Sequence, residues 1–326
     1  MPSRRLAVLL SVCTLVALAF ASGAAEGASP ARAASDPRIA AAGDIACKNP
    51  PANNRRVCRY DDVAALIAAG HYDRFLALGD DQYEYGRLRD FRQNYDVYFG
   101  DLMDITRPVP GNHEYGTANA SGYFRYFGAL GHGPGGYYSY DLGAWHVIAL
   151  NSAICPAAVG CGPGDPQYEW LKADLAADDA TCTLAYWHHP RYDWLKYQHA
   201  DWTSDYEFMK SAPFWNLLYA AGADVVLNGH NHNYSHWLPM DDQGNFDPDH
   251  GITQFIAGTG GRNLNDFGAP STKPITFLTG QTDEFGILRM TLHATGYDYR
   301  FVSTRGSAST FIDQGSGTCH SSGSDE

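Results

Sequence analysis

Residues 74–83 read RFLALGDDQY, and this stretch carries the pattern on which the fold prediction depends. The apolar run Arg74–Leu78 has the composition of a buried strand and stops at Gly79. Asp80 and Tyr83 follow directly. Glycine at such a point lets the backbone bend closely around a small ion or ligand. The stretch therefore predicts a buried strand whose carboxyl end presents polar, chemically active side chains.

The same arrangement recurs along the chain. Four more apolar or proline-containing stretches are each followed by a polar block. They are Arg38–Ala42 before Gly43-Asp44, Pro108-Val109-Pro110 before Gly111-Asn112-His113-Glu114, Thr183–Trp187 before His188, and Val225–Leu227 before Gly229-His230-Asn231-His232. In α/β sheets, ligands gather where the carboxyl ends of strands open into loops. The polar residues of these blocks are therefore expected to meet at one edge, although nearly 190 residues separate the first from the last.

The remaining pattern predicts an α/β arrangement. Further strands are expected at Trp145–Leu150 and Gln254–Ala257, with a late hairpin of Leu288–His293 and Tyr297–Val302. Helices are expected from Asp61 or Asp62 to Ala69, from Pro166 to Leu175 or beyond, and from Pro213 to near Gly222. Strand–helix alternation followed by strands alone indicates a mixed sheet, or two sheets.

The amino terminus has the composition of a secretory signal. Arg4 and Arg5 precede an apolar run, Leu6–Phe20, and an Ala-rich stretch with a small-x-small pattern at Ala31-Arg32-Ala33. We predict a signal and processing region at residues 1–34, a single catalytic domain at 35–320 and a flexible tail at 321–326. A membrane anchor is the alternative, but a span needs about 20 apolar residues. The Sec and twin-arginine routes both stay open.

The charge of the chain limits its partners. Loss of residues 1–34 would remove three Arg and one Glu, leaving 20 basic and 35 acidic residues and a formal net charge of −15. An acidic surface argues against binding a nucleic-acid backbone as the main function. The sequence leaves the oligomeric state open, and no membrane anchor is expected after signal cleavage.

Six of the seven cysteines lie outside the predicted signal. An even number in an exported protein indicates disulfides. The simplest of the fifteen possible connectivities joins near neighbours, as Cys47–Cys58, Cys155–Cys161 and Cys182–Cys319. Metal binding by these thiols is the alternative, and the lack of a CxxC spacing argues against it.

The residue types at the predicted edge are good ligands for hard or borderline cations. Carboxylates, an amide carbonyl, imidazoles and a phenolate supply oxygen and nitrogen donors, and one carboxylate can bridge two ions. Two ions about 3.5–4 Å apart can clamp the attacking and leaving oxygens of a phosphoryl displacement.

In this order the blocks resemble the calcineurin-like metallophosphoesterase superfamily, and within it the purple acid phosphatase branch. The blocks are Gly-Asp, Gly-Asp-x-x-Tyr, Gly-Asn-His-Glu, His-x-Pro-x-Tyr and Gly-His-x-His, from Gly43 to His232. The resemblance implies a four-layer αββα sandwich of two mixed sheets flanked by helices. It also implies two metal ions, Fe(III) with a divalent Fe, Zn or Mn, and direct attack of a metal-bound hydroxide on a small phosphate ester.

The resemblance assigns roles to individual residues. The first metal would be held by Asp44, Tyr83 and His232, the second by Asn112, His188 and His230, with Asp80 bridging both. A Tyr at the position of Tyr83 marks the ferric branch. His113 would bind phosphate or assist the leaving group, with Glu114 as its orienting partner.

The sequence departs from the family pattern at two places near these blocks. Many superfamily members have His where this chain has Ala46, which agrees with Tyr83 taking over as ligand. Similar proteins often read Tyr-Glu-Arg where this chain has Tyr234-Ser235-His236. His236 is expected to be a neutral surface change, with a substrate contact as the alternative. Tyr192, Trp194 and Tyr234 are expected to stack on the organic part of a substrate.

The leading hypothesis is a secreted two-metal enzyme that hydrolyses phosphate monoesters. One alternative is a phosphodiesterase or nucleotidase that uses Zn or Mn. A second is a secreted metal-binding module without activity, although such a module would not need His113.

Overall fold

The computed structural model describes residues 36–48, 57–133, 135–155, 161–194, 210–267 and 275–320. The predicted signal region 1–34 and the tail 321–326 lie outside these residues. Within the described ranges, no helix has both the length and the apolar composition needed to cross a bilayer.

The described ranges contain thirteen strands and six α-helices. The strands are β1 (Arg38–Ala42), β2 (Arg74–Ala77), β3 (Thr106–Pro108), β4 (Tyr138–Leu142), β5 (Trp145–Ala149), β6 (Cys182–Trp187), β7 (Val225–Asn228), β8 (Tyr234–Met240), β9 (Ile252–Ala257), β10 (Phe277–Gln281), β11 (Gly286–His293), β12 (Gly296–Ser303) and β13 (Gln314–Thr318). The helices are α1 (Tyr60–Gly70), α2 (Leu88–Asp90), α3 (Asp96–Phe99), α4 (Ser121–Phe127), α5 (Pro166–Ala177) and α6 (Ala212–Ala220), with a π-helical turn, Phe91–Tyr95, joining α2 to α3.

The strands form two mixed sheets. The first has six strands in the order β13-β12-β11-β1-β2-β3, and its β1, β2 and β3 are parallel. The second has seven strands in the order β10-β8-β9-β7-β6-β5-β4, and its β5, β6, β7 and β9 are parallel. The polar blocks follow the carboxyl ends of parallel strands in both sheets: β1, β2 and the edge strand β3 in the first, and β6 and β7 in the second.

Alternation along the strands generates the layers. In β1, Ile39 and Ala41 belong to a buried cluster that contains residues of both sheets. Ala40 and Ala42 instead pack in a second cluster with α1. In β6, the outer face packs with α5 and α6 in a third cluster. Because successive side chains of a strand point to opposite faces, this pattern confirms the predicted αββα sandwich of two mixed sheets.

The predicted core elements are present, with small shifts at their ends. Helix α1 begins at Tyr60 and extends to Gly70, and His71 after it takes a left-handed conformation (φ 52°). Helix α5 begins at Pro166 as predicted, and Asp165 caps it by accepting a hydrogen bond from the Gln167 N–H. Strands β3, β4, β8, β10 and β13, helix α4 and the helical stretch from α2 to α3 were not predicted from the sequence.

The three predicted disulfides are confirmed: Cys47–Cys58, Cys155–Cys161 and Cys182–Cys319. The last joins the start of β6 to the end of β13. All six cysteines are consumed, so the alternative of thiolate metal ligands is wrong.

His146 on β5 is not part of any of the polar blocks and is largely buried. Its Nε2 contacts Asp174 at 2.9 Å and its Nδ1 contacts Asp141 at 3.1 Å. Burial lowers the pKa of His146, but the two aspartates outweigh it and raise the pKa to about 9. His146 is therefore a hydrogen-bonded structural residue.

Candidate metal centre

The polar blocks meet where the parallel strands of both sheets end. Asp44, Asp80 and Asn112 follow β1, β2 and β3 of the first sheet. His188 and His230 follow β6 and β7 of the second sheet, and His232 stands two residues before β8. The structure therefore brings together all seven predicted ligands, Tyr83 included.

A first group of donors surrounds the Tyr83 phenol oxygen. This oxygen lies 2.8 Å from Asp44 Oδ1, 3.0 Å from Asp80 Oδ2 and 2.9 Å from His232 Nε2. The His232 Nε2 is also 3.3 Å from Asp44 Oδ1. Four donor atoms from three separate loops thus converge on one small volume.

A second group of donors surrounds His188. Its Nε2 lies 3.3 Å from Asp80 Oδ2, 3.2 Å from Asn112 Oδ1 and 3.3 Å from His230 Nδ1. Asp80 Oδ2 belongs to both groups. One carboxylate oxygen therefore stands between two sets of ligands, which is the arrangement expected of a bridging ligand.

The backbone at this edge is held in an uncommon conformation. Asp44, Asp80 and His230 all have positive φ values, 59°, 50° and 70°. Non-glycine residues adopt this region at a cost of order 1 kcal/mol, and such residues cluster at functional sites. Gly111 passes so close to Asp80 that an added Cβ would lie 2.2 Å from Asp80 Oδ1. The loop after β3 therefore depends on glycine to approach Asp80, whose Oδ1 accepts a hydrogen bond from the His113 N–H at 2.8 Å.

Backbone carbonyls orient two of the imidazoles. The His188 Nδ1 lies 2.9 Å from the Leu78 carbonyl oxygen, and the His232 Nδ1 lies 2.6 Å from the Asn263 carbonyl oxygen. A ring that donates its Nδ1–H leaves the Nε2 lone pair for a metal, as is usual for ligating histidines. Both Nε2 atoms point into the donor groups, so the tautomers fit a metal-binding role.

The donor set fits two metal ions. Ligands held about 2.0–2.2 Å from one ion lie roughly 3 Å apart, and the distances in both groups are of this size. Burial, then the nearby Asp44 and Asp80, raises the pKa of the Tyr83 phenol well above its usual value. Burying the two carboxylates costs less free energy when cations lie between them, the phenol and the imidazoles than when no cation is present.

His113 faces the centre from its rim. Its side chain is 30% exposed, and its Nε2 lies 3.8 Å from Asp80 Oδ2. The Nδ1 lies 2.7 Å from the Glu84 carbonyl oxygen. Glu84, and not the expected Glu114, is therefore the partner that orients the His113 ring.

Glu114 is buried and supports the backbone of the site. Its carboxylate accepts hydrogen bonds from the N–H groups of Asp80 (3.0 Å), Gln82 (3.1 Å) and Gly111 (2.8 Å). Burial and the charge of Asp80 raise its pKa to about 8, while the Gly111 and Gln82 N–H groups oppose that shift. Glu114 thus ties the loop after β2 to the loop after β3.

Several expectations about the surroundings are wrong. Tyr192 and Tyr234 are fully buried, against Trp215 and Phe301 respectively, and offer no face to a substrate. His236 is also buried and bonds Asp313 through its Nδ1 at 3.1 Å. It is neither a surface residue nor a substrate contact, because it lies on β8, a strand that the sequence analysis missed.

Residues 262 and 263 also belong to the site, although their sequence positions did not predict it. The Asn263 carbonyl orients His232, and the Arg262 N–H donates to the Asp44 carbonyl oxygen at 2.8 Å. The Arg262 guanidinium lies over the Tyr83 ring, 4.8 Å from its centroid. The run Gly258-Thr259-Gly260-Gly261-Arg262 after β9 was the available signal, since glycines there permit a close approach to the site.

Comparison with known proteins agrees with this fold and site. The calcineurin-like phosphoesterase family matches residues 37–234, which is more than half of the chain and contains all seven predicted ligands. The chain belongs to the calcineurin-like phosphoesterase family.

Its curated relatives point to the predicted branch. Purple acid phosphatase 15 of Arabidopsis thaliana is 34% identical over 157 residues, covering 42% of this chain and 27% of that protein. Acid phosphatase type 7 of Homo sapiens is 28% identical over 227 residues, covering 63% of this chain and 48% of that protein. The chain thus spans between about a quarter and a half of these relatives. The predicted resemblance to the purple acid phosphatases is confirmed.

Solved structures share the fold at low sequence identity. A purple acid phosphatase, PPD1, from yellow lupin seeds superposes with a TM-score of 0.67 and 17% identity, over 88% of this chain and 54% of that one. GAP50, described as the anchor in the inner membrane complex of Plasmodium, superposes with a TM-score of 0.60 and 14% identity, over 88% and 89% of the two chains. These likenesses support the fold alone.

Proposed function

We propose that this chain is an exported two-metal hydrolase of phosphate monoesters. The observation that carries the proposal is the position of Asp80 Oδ2, which lies within 3.3 Å of donors in both ligand groups. A fold without this shared oxygen would offer two separate sites and no means of acting on both sides of one phosphorus atom.

The residues that would hold the metals are those of the two groups. Tyr83, Asp44 and His232 would bind Fe(III), because a phenolate and a carboxylate are hard, anionic donors. Asn112, His188 and His230 would bind a divalent Fe, Zn or Mn, with Asp80 shared. When bound, two such ions supply Lewis acidity to the phosphoryl oxygens and lower the pKa of water towards neutrality.

The protein's own side chains would bind and position the ester. His113 is the exposed member of the centre, and its Nδ1–H is committed to the Glu84 carbonyl. Its Nε2 is therefore free to contact a phosphoryl oxygen or, when protonated, to donate a proton to the leaving alkoxide. The buried carboxylate of Glu114 would keep Asp80 and Asn112 in place while this happens.

Export is part of the proposal. Three disulfides in the described chain are typical of oxidising compartments. They agree with the signal sequence predicted at residues 1–34. Protein released to the medium with a new amino terminus near residue 35 would support export, whereas an uncleaved cytoplasmic chain would contradict it.

The activity is tested by phosphate release from an aryl phosphomonoester. We expect wild-type turnover and at least a hundredfold loss in Asp80→Asn, because an amide cannot bridge two cations as a carboxylate does. Asp249→Asn, a change at an exposed aspartate, serves as the matched control. Equal turnover of Asp80→Asn and the control would refute the shared-ligand reasoning.

Two alternatives have their own readouts. A ferric centre gives a visible phenolate-to-iron band that Tyr83→Phe would abolish, and a colourless active enzyme would indicate Zn or Mn. The second alternative is a binding function without catalysis, because the fold is shared with GAP50, which is named for an anchoring role. Metal-loaded protein that binds phosphate esters but turns over neither mono- nor diesters would favour it.

A further inference from the structure

Arg262 is a cationic side chain at the rim of the metal centre. Its guanidinium carbon lies 4.8 Å from the centroid of the Tyr83 ring, and the phenol oxygen of that ring contacts both carboxylates of the first group. Its backbone N–H is fixed to the Asp44 carbonyl oxygen. A guanidinium held over an aromatic face in this way is ordered before any ligand arrives.

The Arg262 side chain has hydrogen-bonding capacity to spare. Its Nη2 lies 2.8 Å from Glu84 Oε1, with the two side chains 25% and 36% exposed. The Nε atom is buried and has no partner among the described residues. Guanidinium offers five N–H donors in a planar fork; with Nη2 paired to Glu84 and Nε buried, the remaining Nη N–H groups are the ones available to a ligand.

Glu84 links this arginine to His113. The Glu84 carbonyl oxygen accepts from the His113 Nδ1 at 2.7 Å, and its carboxylate pairs with Arg262. The His113 ring in turn lies 4.2 Å from the Tyr83 ring, centroid to centroid. The Arg262 guanidinium and the His113 imidazole, both able to bind phosphate, are thus held by the same residue, Glu84, and both lie beside the Tyr83 ring.

We propose that the Arg262–Glu84 pair determines the preference of this site for dianionic phosphate monoesters over monoanionic diesters. The inference rests on the proposed phosphoesterase function. An ester phosphate at the centre meets the free N–H groups of Arg262 and repels the Glu84 carboxylate. A monoester presents an additional charged, unsubstituted oxygen to this fork, whereas a diester carries an organic group in that position.

The positive charge of Arg262 favours phosphate binding and the negative charge of Glu84 opposes it, so substitutions of the two residues should change phosphate affinity in opposite directions. Loss of Arg262 removes an attraction and also leaves Glu84 unpaired beside a dianion. Loss of the Glu84 charge removes a repulsion and a competitor for the guanidinium. A residue that merely supported the Tyr83 ring would produce no such opposition.

The experiment measures KM and kcat for an aryl monoester and the matching aryl diester, and calorimetric binding of inorganic phosphate, in metal-loaded protein. The variants are Arg262→Gln, Arg262→Lys, Glu84→Gln and the double Arg262→Gln/Glu84→Gln. Arg300→Gln, at an exposed position on β12, is the control. Metal content is determined for each.

We expect Arg262→Gln to raise the monoester KM and the phosphate dissociation constant about tenfold or more, the size of a charge-assisted hydrogen bond. The diester KM should change less than about threefold on the same basis. Arg262→Lys should fall between, Glu84→Gln should tighten phosphate binding, and the double variant should recover part of the loss of Arg262→Gln.

Other results overturn the inference. Equal losses for monoester and diester, weaker phosphate binding in Glu84→Gln, or loss of metal in Arg262→Gln would each show that the pair serves the structure of the centre instead. No turnover of either ester by the wild type would reject the proposed function, while phosphate calorimetry would still decide whether Arg262 recognises the anion.

Discussion

Replacing Glu114 by Gln would separate a structural role of this buried carboxylate from a chemical one. The carboxylate accepts three backbone N–H groups, two on Oε2 and one on Oε1. A glutamine has one acceptor oxygen. In its better orientation the amide oxygen replaces Oε2, and the amide NH₂ then faces the Gln82 N–H, donor against donor.

The cost follows from this count. One N–H loses its partner inside the protein, and two bonds change from charge-assisted to neutral, each step being worth about 1–2 kcal/mol. Allowing for relaxation of the loops, we expect a loss of about 3 kcal/mol. For a domain of this size each kcal/mol shifts the melting temperature by about 2–4 °C, so Glu114→Gln should melt about 6–12 °C lower. Metal retention should fall with it, because both bridged loops carry ligands.

The assay is thermal unfolding of wild type and Glu114→Gln at about pH 9.5, above the Glu114 pKa of about 8, so that the carboxyl is ionised, with metal content measured on the same samples. Glu169→Gln is the control, since this exposed carboxylate accepts one N–H, from Gly164, and should change stability by less than about 0.5 kcal/mol. A shift under about 2 °C would refute the reasoning. It would mean that Glu114 is protonated in the folded protein, as burial favours, and that glutamine reproduces its hydrogen bonds.

Three further outcomes are expected. His146→Gln should reduce the free energy of unfolding by about 1–2 kcal/mol near pH 6.5. Because the pKa of His146 in the folded protein is raised to about 9, this difference from wild type is complete below the unfolded pKa and disappears as the pH rises through 9. Urea unfolding at several pH values will measure it. Replacing Cys182 and Cys319 together by Ser opens a bridge between residues 137 apart and should cost up to about 5 kcal/mol; an unchanged melting temperature under oxidising conditions would contradict it. Gly111→Ala should displace the Asp80 carboxylate, since the new Cβ would lie 2.2 Å from Oδ1, and metal analysis should find both ions depleted relative to wild type.

The fold by itself does not decide the activity. The same sandwich occurs in a purple acid phosphatase and in a protein named for anchoring. In this chain the seven predicted donors lie together, with His113 and Arg262 at the rim. Functional arguments for the chain therefore rest on these side chains and on the measurements proposed for them.

The sequence by itself determined the strands that carry the site and the residues at their ends. A short apolar run that stops at a polar residue, in most cases after a glycine, is a local signal, so β1, β2, β6 and β7 could be predicted together with Asp44, Asp80, His188 and His230. The cysteine spacing gave the disulfide pairs for the same reason, because two of the three bridges are short-range.

Only the tertiary structure decided which neighbours surround those residues. Tyr234 and His236 follow a metal motif in sequence, yet β8 pairs with β9 and buries both. Arg262 lies 179 residues after Tyr83 but over its ring. Glu114 stands beside His113 yet bonds the backbone of other loops. Contacts of this kind depend on how two sheets and their loops pack against each other, and a pattern read along one chain carries no record of that packing.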